Sequence, residues 1–232
     1  MTIDLARTPN LSPLDGGPLR QQAEYWQAAL ANAPEPLEVP ADRPRPAQPD
    51  HAGALVRLEL NEEVTAGLRA LGGRNGATLA TALLAGWAAT LGRLSGQTDL
   101  VIGCFGQPLP VRVDLSGSPT AAELLGRVEA RVQGALRNGG LPLERVAELV
   151  QPDGADASAT PLFRAGFAWG DAPVRGPESS APEPRAAAGL ELALELREAG
   201  GGIAGEVVVR TALFERETVE RYTGYLRRLL AG

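Results

Sequence analysis

Side chains that act as nucleophiles or transfer protons are scarce in this chain. It has one histidine, His51, and one cysteine, Cys104, and all 22 basic residues are arginines. Without lysine there is no ammonium for a P-loop and no anchor for pyridoxal phosphate. One imidazole and one thiol are too few for a zinc or iron–sulfur site built on nitrogen and sulfur ligands, and a single cysteine closes no intrachain disulfide. We therefore predict neither a metal nor a cofactor.

Neither His51 nor Cys104 lies in a sequence context that favours catalysis. An imidazole changes charge near neutral pH and is a possible general base. The prolines around His51 instead favour a surface role, because they do not fix a catalytic geometry. Cys104 follows a short apolar run typical of a buried strand, which favours a small buried residue over a nucleophile. We predict no catalytic residue.

A formal dinucleotide-binding pattern, Gly-x-Gly-x-x-Gly, occurs at Gly200, Gly202 and Gly205. That fingerprint needs a helix after the glycines, so that a helix N-terminus meets the pyrophosphate. Here an alternating, strand-like sequence follows, and the glycines predict a hairpin turn instead. Acidic pairs such as Glu62 and Glu63 fall at predicted helix starts, where negative charge meets the positive end of the helix dipole.

The charge balance argues against nucleic acid and membrane partners. The formal net charge is −6 and aromatic residues make up 4% of the chain, which leaves little for phosphate binding or base stacking. The most apolar stretch, residues 77–94, contains Arg93 and is better sized for a core helix than for a membrane span. With no export signal and no disulfide, we predict a soluble cytoplasmic protein.

The elements form one α/β layered domain of strands and covering helices. We predict helices over residues 18–31, 61–72, 77–94, from a capping box at Thr120 to Gly139, 142–150 and 214–230. We predict strands over residues 54–60, 99–103, 109–115 and 163–169, and a hairpin of residues 190–198 and 203–213. The buried face of the fourth helix is predicted to hold Leu124, Leu125, Val128, Val132 and Leu136. That of the last helix is predicted to hold Val219, Tyr222, Leu226 and Leu229, opposite a salt-bridged face of Arg216, Arg221, Arg227 and Arg228 with Glu215, Glu217 and Glu220.

The domain organisation follows from composition. Residues 1–17 are predicted to be a flexible lead and residues 18–232 a single domain. Within that domain, residues 34–49 are too rich in proline for a helix or a central strand and predict an extended strap. Residues 171–188, with several prolines, serines and alanines, predict a mobile loop.

Several short segments, in order, resemble the second half of the condensation domains of nonribosomal peptide synthetases. They are Tyr25-Trp26, residues 37–46 (LEVPADRPRP), 76–85 (GATLATALLA), 95–103 (SGQTDLVIG), 109–114 (LPVRVD), 141–145 (LPLER), 160–163 (TPLF), 194–198 (LELRE) and 213–214 (LF). The resemblance covers residues 21–230. It implies a single lobe like that of chloramphenicol acetyltransferase, with a mixed sheet covered by helices.

The resemblance also implies a second lobe that this chain lacks. In the family two such lobes form a V, and a His-His-x-x-x-Asp-Gly motif of the first lobe assists amine attack on a thioester, in a tunnel where two carrier-bound substrates meet. This chain has no His-His pair. It is also short after residues 99–103, where the family has a long floor loop, and Gln107 stands where the family usually has Asn.

These departures lead to an expected function. We expect a truncated condensation-like domain of an antibiotic or other natural-product synthetase that is catalytically inactive and not an enzyme. Its role would be architectural, beside an adenylation domain that follows Gly232. Three alternatives stay open: half of a split condensation acyltransferase completed in trans, a docking platform for a carrier protein, and a homodimer in which two copies cover each other's exposed face.

Overall fold

A computed structural model describes residues 17–46, 52–105, 109–151, 162–170 and 190–232. These residues form six helices and six strands, in the order α1 (Gly17–Ala29), β1 (Gly53–Leu60), α2 (Glu62–Arg74), α3 (Leu79–Ser95), β2 (Asp99–Phe105), β3 (Leu109–Asp114), α4 (Ala121–Arg137), α5 (Leu143–Val150), β4 (Ala165–Trp169), β5 (Leu192–Ala199), β6 (Gly202–Arg210) and α6 (Arg216–Ala231). Residues 1–16 of the predicted lead, the predicted mobile loop, His51 and Gln107 lie outside the described residues, and Gly17, the last residue of the predicted lead, begins α1.

The six strands form one mixed sheet in the order β1-β6-β5-β4-β2-β3. Strand β4 runs parallel to β2 and β5, and the other three pairs are antiparallel. Strands β2, β4 and β5 therefore begin at the same end of the sheet, which we call the strap end, and finish at the other, which we call the far end. The sequence prediction of a mixed sheet covered by helices in one α/β lobe is confirmed.

The two faces of the sheet differ because strand side chains alternate. One face packs into the helix layer and holds fully buried residues such as Leu58, Ile102 and Leu194. Helices α2, α3, α4 and α6 contact strands β6, β2, β3 and β1 on this side. The other face carries exposed Arg57, Glu59 and Arg197 along β1 and β5. We call it the outer face.

Helix α3 is the centre of the helix layer because it contacts α2, α4 and α6. Almost all of its residues from Leu79 to Gly92 are buried, as its continuous apolar sequence predicts. Gly86 permits the close approach of α6, since a Cβ on Gly86 would collide with the Leu230 side chain. The Trp87 indole N–H donates to the Gly166 carbonyl, 3.0 Å away, and fixes α3 to β4.

Two predicted helix faces need correction. Leu136 on α4 is 52% exposed, while Ala135 is buried. On α6 the buried stripe ends at Leu230 instead of Leu229. In both cases the apolar pattern leaves neighbouring positions near the edge of the stripe, and only the packed partner decides which of them is covered.

Candidate functional site

The far end of the sheet brings together the carboxyl ends of β2 and β4, because these strands are parallel neighbours. Cys104 pairs in register with Phe167 at this end. The side chain of Trp169 is half-buried and packs against the core. Gly170 follows with φ of +123°, a conformation that side chains rarely adopt, and its N–H donates to the Leu196 carbonyl at 3.1 Å. The sequence resemblance predicts that a first lobe would face this end, because the family's floor loop follows the strand that ends here.

The Cys104 thiol stays protonated at neutral pH. Burial raises its pKa to about 12, because desolvation disfavours the thiolate. A thiolate is the nucleophilic form of cysteine, so this side chain adds a neutral surface to the far end and not an activated nucleophile.

The three glycines of the Gly-x-Gly-x-x-Gly pattern have structural roles. Gly200 lies in the β5–β6 turn with φ of +57°. A Cβ on Gly202 would collide with the Leu60 carbonyl, and one on Gly205 with the Glu195 carbonyl. The prediction of a hairpin turn is confirmed, since β6 follows directly.

At the strap end, residues 34–46 are held across the sheet by a four-residue charge network. Glu191 has a side chain only 7% exposed, and its carboxylate accepts from Arg45 Nε at 2.7 Å and Nη2 at 3.2 Å. Arg164 bridges Glu191, at 3.5 Å, and Glu38, at 3.2 Å. The hydrogen bonds that Arg45 donates to Glu191 raise the pKa of the Arg45 guanidinium. This network ties the strap to the beginnings of β4 and β5.

The strap also supplies the cap of α6. Glu215 is the N-cap residue but its own side chain makes no capping bond. Instead Asp42 Oδ2 accepts the Glu215 backbone N–H at 2.7 Å, and Oδ1 accepts the Thr218 hydroxyl at 2.8 Å. The Glu215 N–H bond is the main reason that the pKa of Asp42 is lowered. Tyr222 adds a hydrogen bond to the Pro40 carbonyl at 2.8 Å.

The solvent-exposed side of α6 has fewer salt bridges than its sequence predicts. Arg216 and Glu220 form an ion pair at 2.9 Å. Arg221 donates to the Thr218 hydroxyl at 2.8 Å, and Arg228 lies over the Tyr225 ring at 5.2 Å. Tyr225 is 45% exposed, so this helix presents an aromatic and a cation together.

Neither a group of metal-binding side chains nor a membrane-spanning helix is found within the described ranges. No group of three or more His, Cys, Asp or Glu side chains there is placed to hold a metal ion. No helix in the same part of the chain has the length and apolar character needed to cross a bilayer.

Comparisons with known proteins find relatives that match almost the whole length of this chain. The family model for the condensation domain matches residues 17–232. Malpinin synthetase of Mortierella alpina is 39% identical over 93% of this chain, and chondramide synthase of Chondromyces crocatus is 34% identical over 89%. The chain spans only 3% and 6% of those two proteins.

A similar solved structure is the X-domain in its complex with OxyB from teicoplanin biosynthesis. It aligns with a TM-score of 0.81 at 28% identity, over 92% of this chain and 52% of that one. The condensation domain of the Monacolin K polyketide synthase MokA, 18% identical, shares the fold with a TM-score of 0.68 and is covered to 58%. This chain therefore corresponds to about half of such a domain.

One sequence prediction is overturned by these relatives. The expectation that the chain is not an enzyme treated missing motifs as evidence of inactivity, whereas its relatives are synthetases whose condensation domains are acyltransferases. The matched residues, the relatives and the shared lobe agree, and the chain belongs to the condensation-domain family of nonribosomal peptide synthetases, as a partial domain.

Proposed function

We propose that the chain is the C-terminal lobe of a condensation acyltransferase and works with an N-terminal lobe that carries the His-His-x-x-x-Asp-Gly motif. The observation that carries the proposal is a single lobe, with one contiguous core among the described residues, that covers about half of the X-domain chain. The partner lobe would belong to the same polypeptide or to another one.

In the reaction that the family resemblance implies, the acceptor amine nitrogen forms a bond to the donor thioester carbon. The C–S bond breaks and the thiol leaves, while the histidine motif of the first lobe assists loss of the amine proton. This chain would contribute one wall of the reaction space at the far end of the sheet. The neutral Cys104 thiol and the half-buried Trp169 indole suit a wall that keeps water from the thioester.

Reconstitution tests this proposal. The 232-residue chain is mixed with, or fused to, the N-terminal lobe of a related condensation domain, and carrier-bound donor and acceptor are supplied. We expect an amide product, detected by mass spectrometry, only when both lobes are present. The matched control is an N-terminal lobe whose histidine motif is changed to alanine. Absence of product with several intact, folded N-terminal lobes contradicts the proposal.

We also propose that an adenylation domain of the same synthetase packs against the solvent-exposed side of α6. Relatives of which this chain is only a few per cent imply neighbouring domains. Tyr225 and Arg228 support this surface, because exposed Tyr and Arg side chains are enriched in protein interfaces.

Co-expression tests the second proposal. We expect the adenylation domain of the same synthetase to give more soluble protein and faster amino-acid activation with the wild-type chain than with a Tyr225→Ala/Arg228→Glu variant. Arg20→Glu, an equally charge-reversing change at an exposed site on α1, is the matched control. Equal yield and activation with and without the chain exclude this role.

A further inference from the structure

Strand β1 forms one edge of the sheet. Two hydrogen bonds show which of its backbone groups point toward β6 and which point away from it. The Ala52 carbonyl accepts from the Thr211 N–H at 3.0 Å, on the side of β6. The Leu55 carbonyl accepts from Arg216 Nη1 at 3.5 Å, on the opposite side. Because residues of an antiparallel strand alternate in direction, the backbone groups of residues 55, 57 and 59 point away from β6. Among the described residues no strand pairs with this edge.

The two outward residues in the middle of β1 carry opposite charges. Arg57 and Glu59 are exposed, and their side chains share the outer face because they are two positions apart. Exposed edges are often protected by charges of one sign, which repel a second copy. An arginine and a glutamate at this spacing have a different consequence.

Two copies of β1 can pair antiparallel about a two-fold axis in a register that places Arg57 opposite Glu59 of the other copy. The same register places Glu59 of the first copy opposite Arg57 of the second. Each of these side chains therefore faces an opposite charge, and the two residue pairs together form about four backbone hydrogen bonds between the copies. Shifting the pairing by two residues brings Arg57 opposite Arg57 in one direction and Glu59 opposite Glu59 in the other. Charge complementarity therefore selects one symmetric register.

We propose that the β1 edge binds the β1 edge of a second copy of this chain, in this antiparallel register. Asn61 caps α2 at one end and Arg216 covers the Leu55 carbonyl at the other, so pairing is confined to residues 56–60. So short a ladder gives a weak, concentration-dependent dimer. The inference is independent of the proposed acyltransferase role, since it uses no residue of the far end.

Sedimentation equilibrium of the full chain, from about 1 µM to 1 mM, tests the proposal. We expect reversible dimerisation. Arg57→Glu and Glu59→Arg should each weaken it about tenfold, since each replaces two attractive cross-strand pairs by repulsive ones. The double variant Arg57→Glu/Glu59→Arg should restore wild-type association, because the swap recreates both pairs.

Arg197→Glu is the matched control, since it makes the same change of charge on the same face of the sheet, on β5 in the interior of the sheet. Circular dichroism of each variant shows that it is folded. A chain that stays monomeric over this range, a dimer unaffected by the single reversals, or a double variant as weak as the single ones overturns the proposal.

Discussion

Asp42 shows how one strap residue controls an element far along the chain. Its carboxylate accepts the Glu215 N–H at the start of α6 and the Thr218 hydroxyl one turn later. Asp42→Ala leaves both donors without this partner, so we expect the free energy of unfolding to fall by about 1 kcal/mol at pH 7, the usual effect of losing an N-cap. Urea unfolding measures it.

The pH dependence of the Asp42 contribution separates capping from packing. Because the folded-state pKa of Asp42 lies below its ordinary value, its stabilisation is present above pH ~4 and is lost as pH falls through the lowered pKa. The difference between wild type and Asp42→Ala should therefore shrink in acid. A difference that stays constant down to pH 2 would show that the carboxylate charge is not involved.

Gly205 tests close backbone approach at the β5–β6 pair. Gly205→Ala places a methyl group against the Glu195 carbonyl, a backbone atom that a side-chain rotation does not relieve. We expect a loss of about 2 kcal/mol in the free energy of unfolding. Gly126→Ala is the matched control, because its Cβ meets open space on α4 and alanine is the better helix former by about 1 kcal/mol. Equal effects of the two substitutions would contradict the steric argument.

At the scale of elements, the strap is held by side chains more than by regular structure. Arg45→Gln removes both hydrogen bonds to the nearly buried Glu191, leaving it with Arg164 at 3.5 Å. Hydrogen bonds to charged groups contribute about 1.5–3 kcal/mol to stability. We therefore expect the free energy of unfolding of Arg45→Gln to fall by an amount near the lower end of that range, measured by thermal unfolding. Hydrogen exchange should quicken around residues 42 and 43, whose N–H groups bond to the Leu213 carbonyl.

Arg20→Gln provides the comparison for Arg45→Gln. Arg20 pairs with Glu24 on an exposed turn of α1, where both side chains are mostly in solvent. An exposed pair of this kind contributes less than about 1 kcal/mol, so its loss should leave the melting temperature almost unchanged. A melting temperature lowered equally by both variants would mean that burial of Glu191 does not strengthen the strap contact.

The elements follow from local patterns, whereas the contacts between them do not. Alternation in β1 and the capping box at Thr120 correctly predict a strand and a helix start, because each signal lies within a few residues. The cap that Asp42 gives to α6 joins residues 173 apart, so no local pattern contains it. Leu136 looks like a core residue in sequence but is exposed, since the position beside it, Ala135, meets the layer.

At the scale of the whole molecule, the sequence predicts no catalytic residue for proton transfer. That prediction depends on which residue types are present and not on their geometry. His51 is the one imidazole of the sequence, and it lies outside the described residues. Membership of the condensation-domain family nevertheless follows from the family model, the fold and the relatives. A missing motif in half of a domain is equally compatible with an active site shared between two lobes, which is why reconstitution with a first lobe is the informative experiment.

The contiguous core predicts that the lobe unfolds as one unit. Trp26 on α1, Trp87 on α3 and Trp169 at the end of β4 report from separate regions, and all three pack in or against the same core. We expect tryptophan fluorescence and far-ultraviolet circular dichroism to give coincident urea transitions, as in cooperative unfolding. Trp26→Phe and Trp87→Phe, each silencing one reporter, should give the same midpoint by both probes. An earlier fluorescence transition that disappears in Trp26→Phe would show that α1 and α5, which pack on each other, open before the sheet.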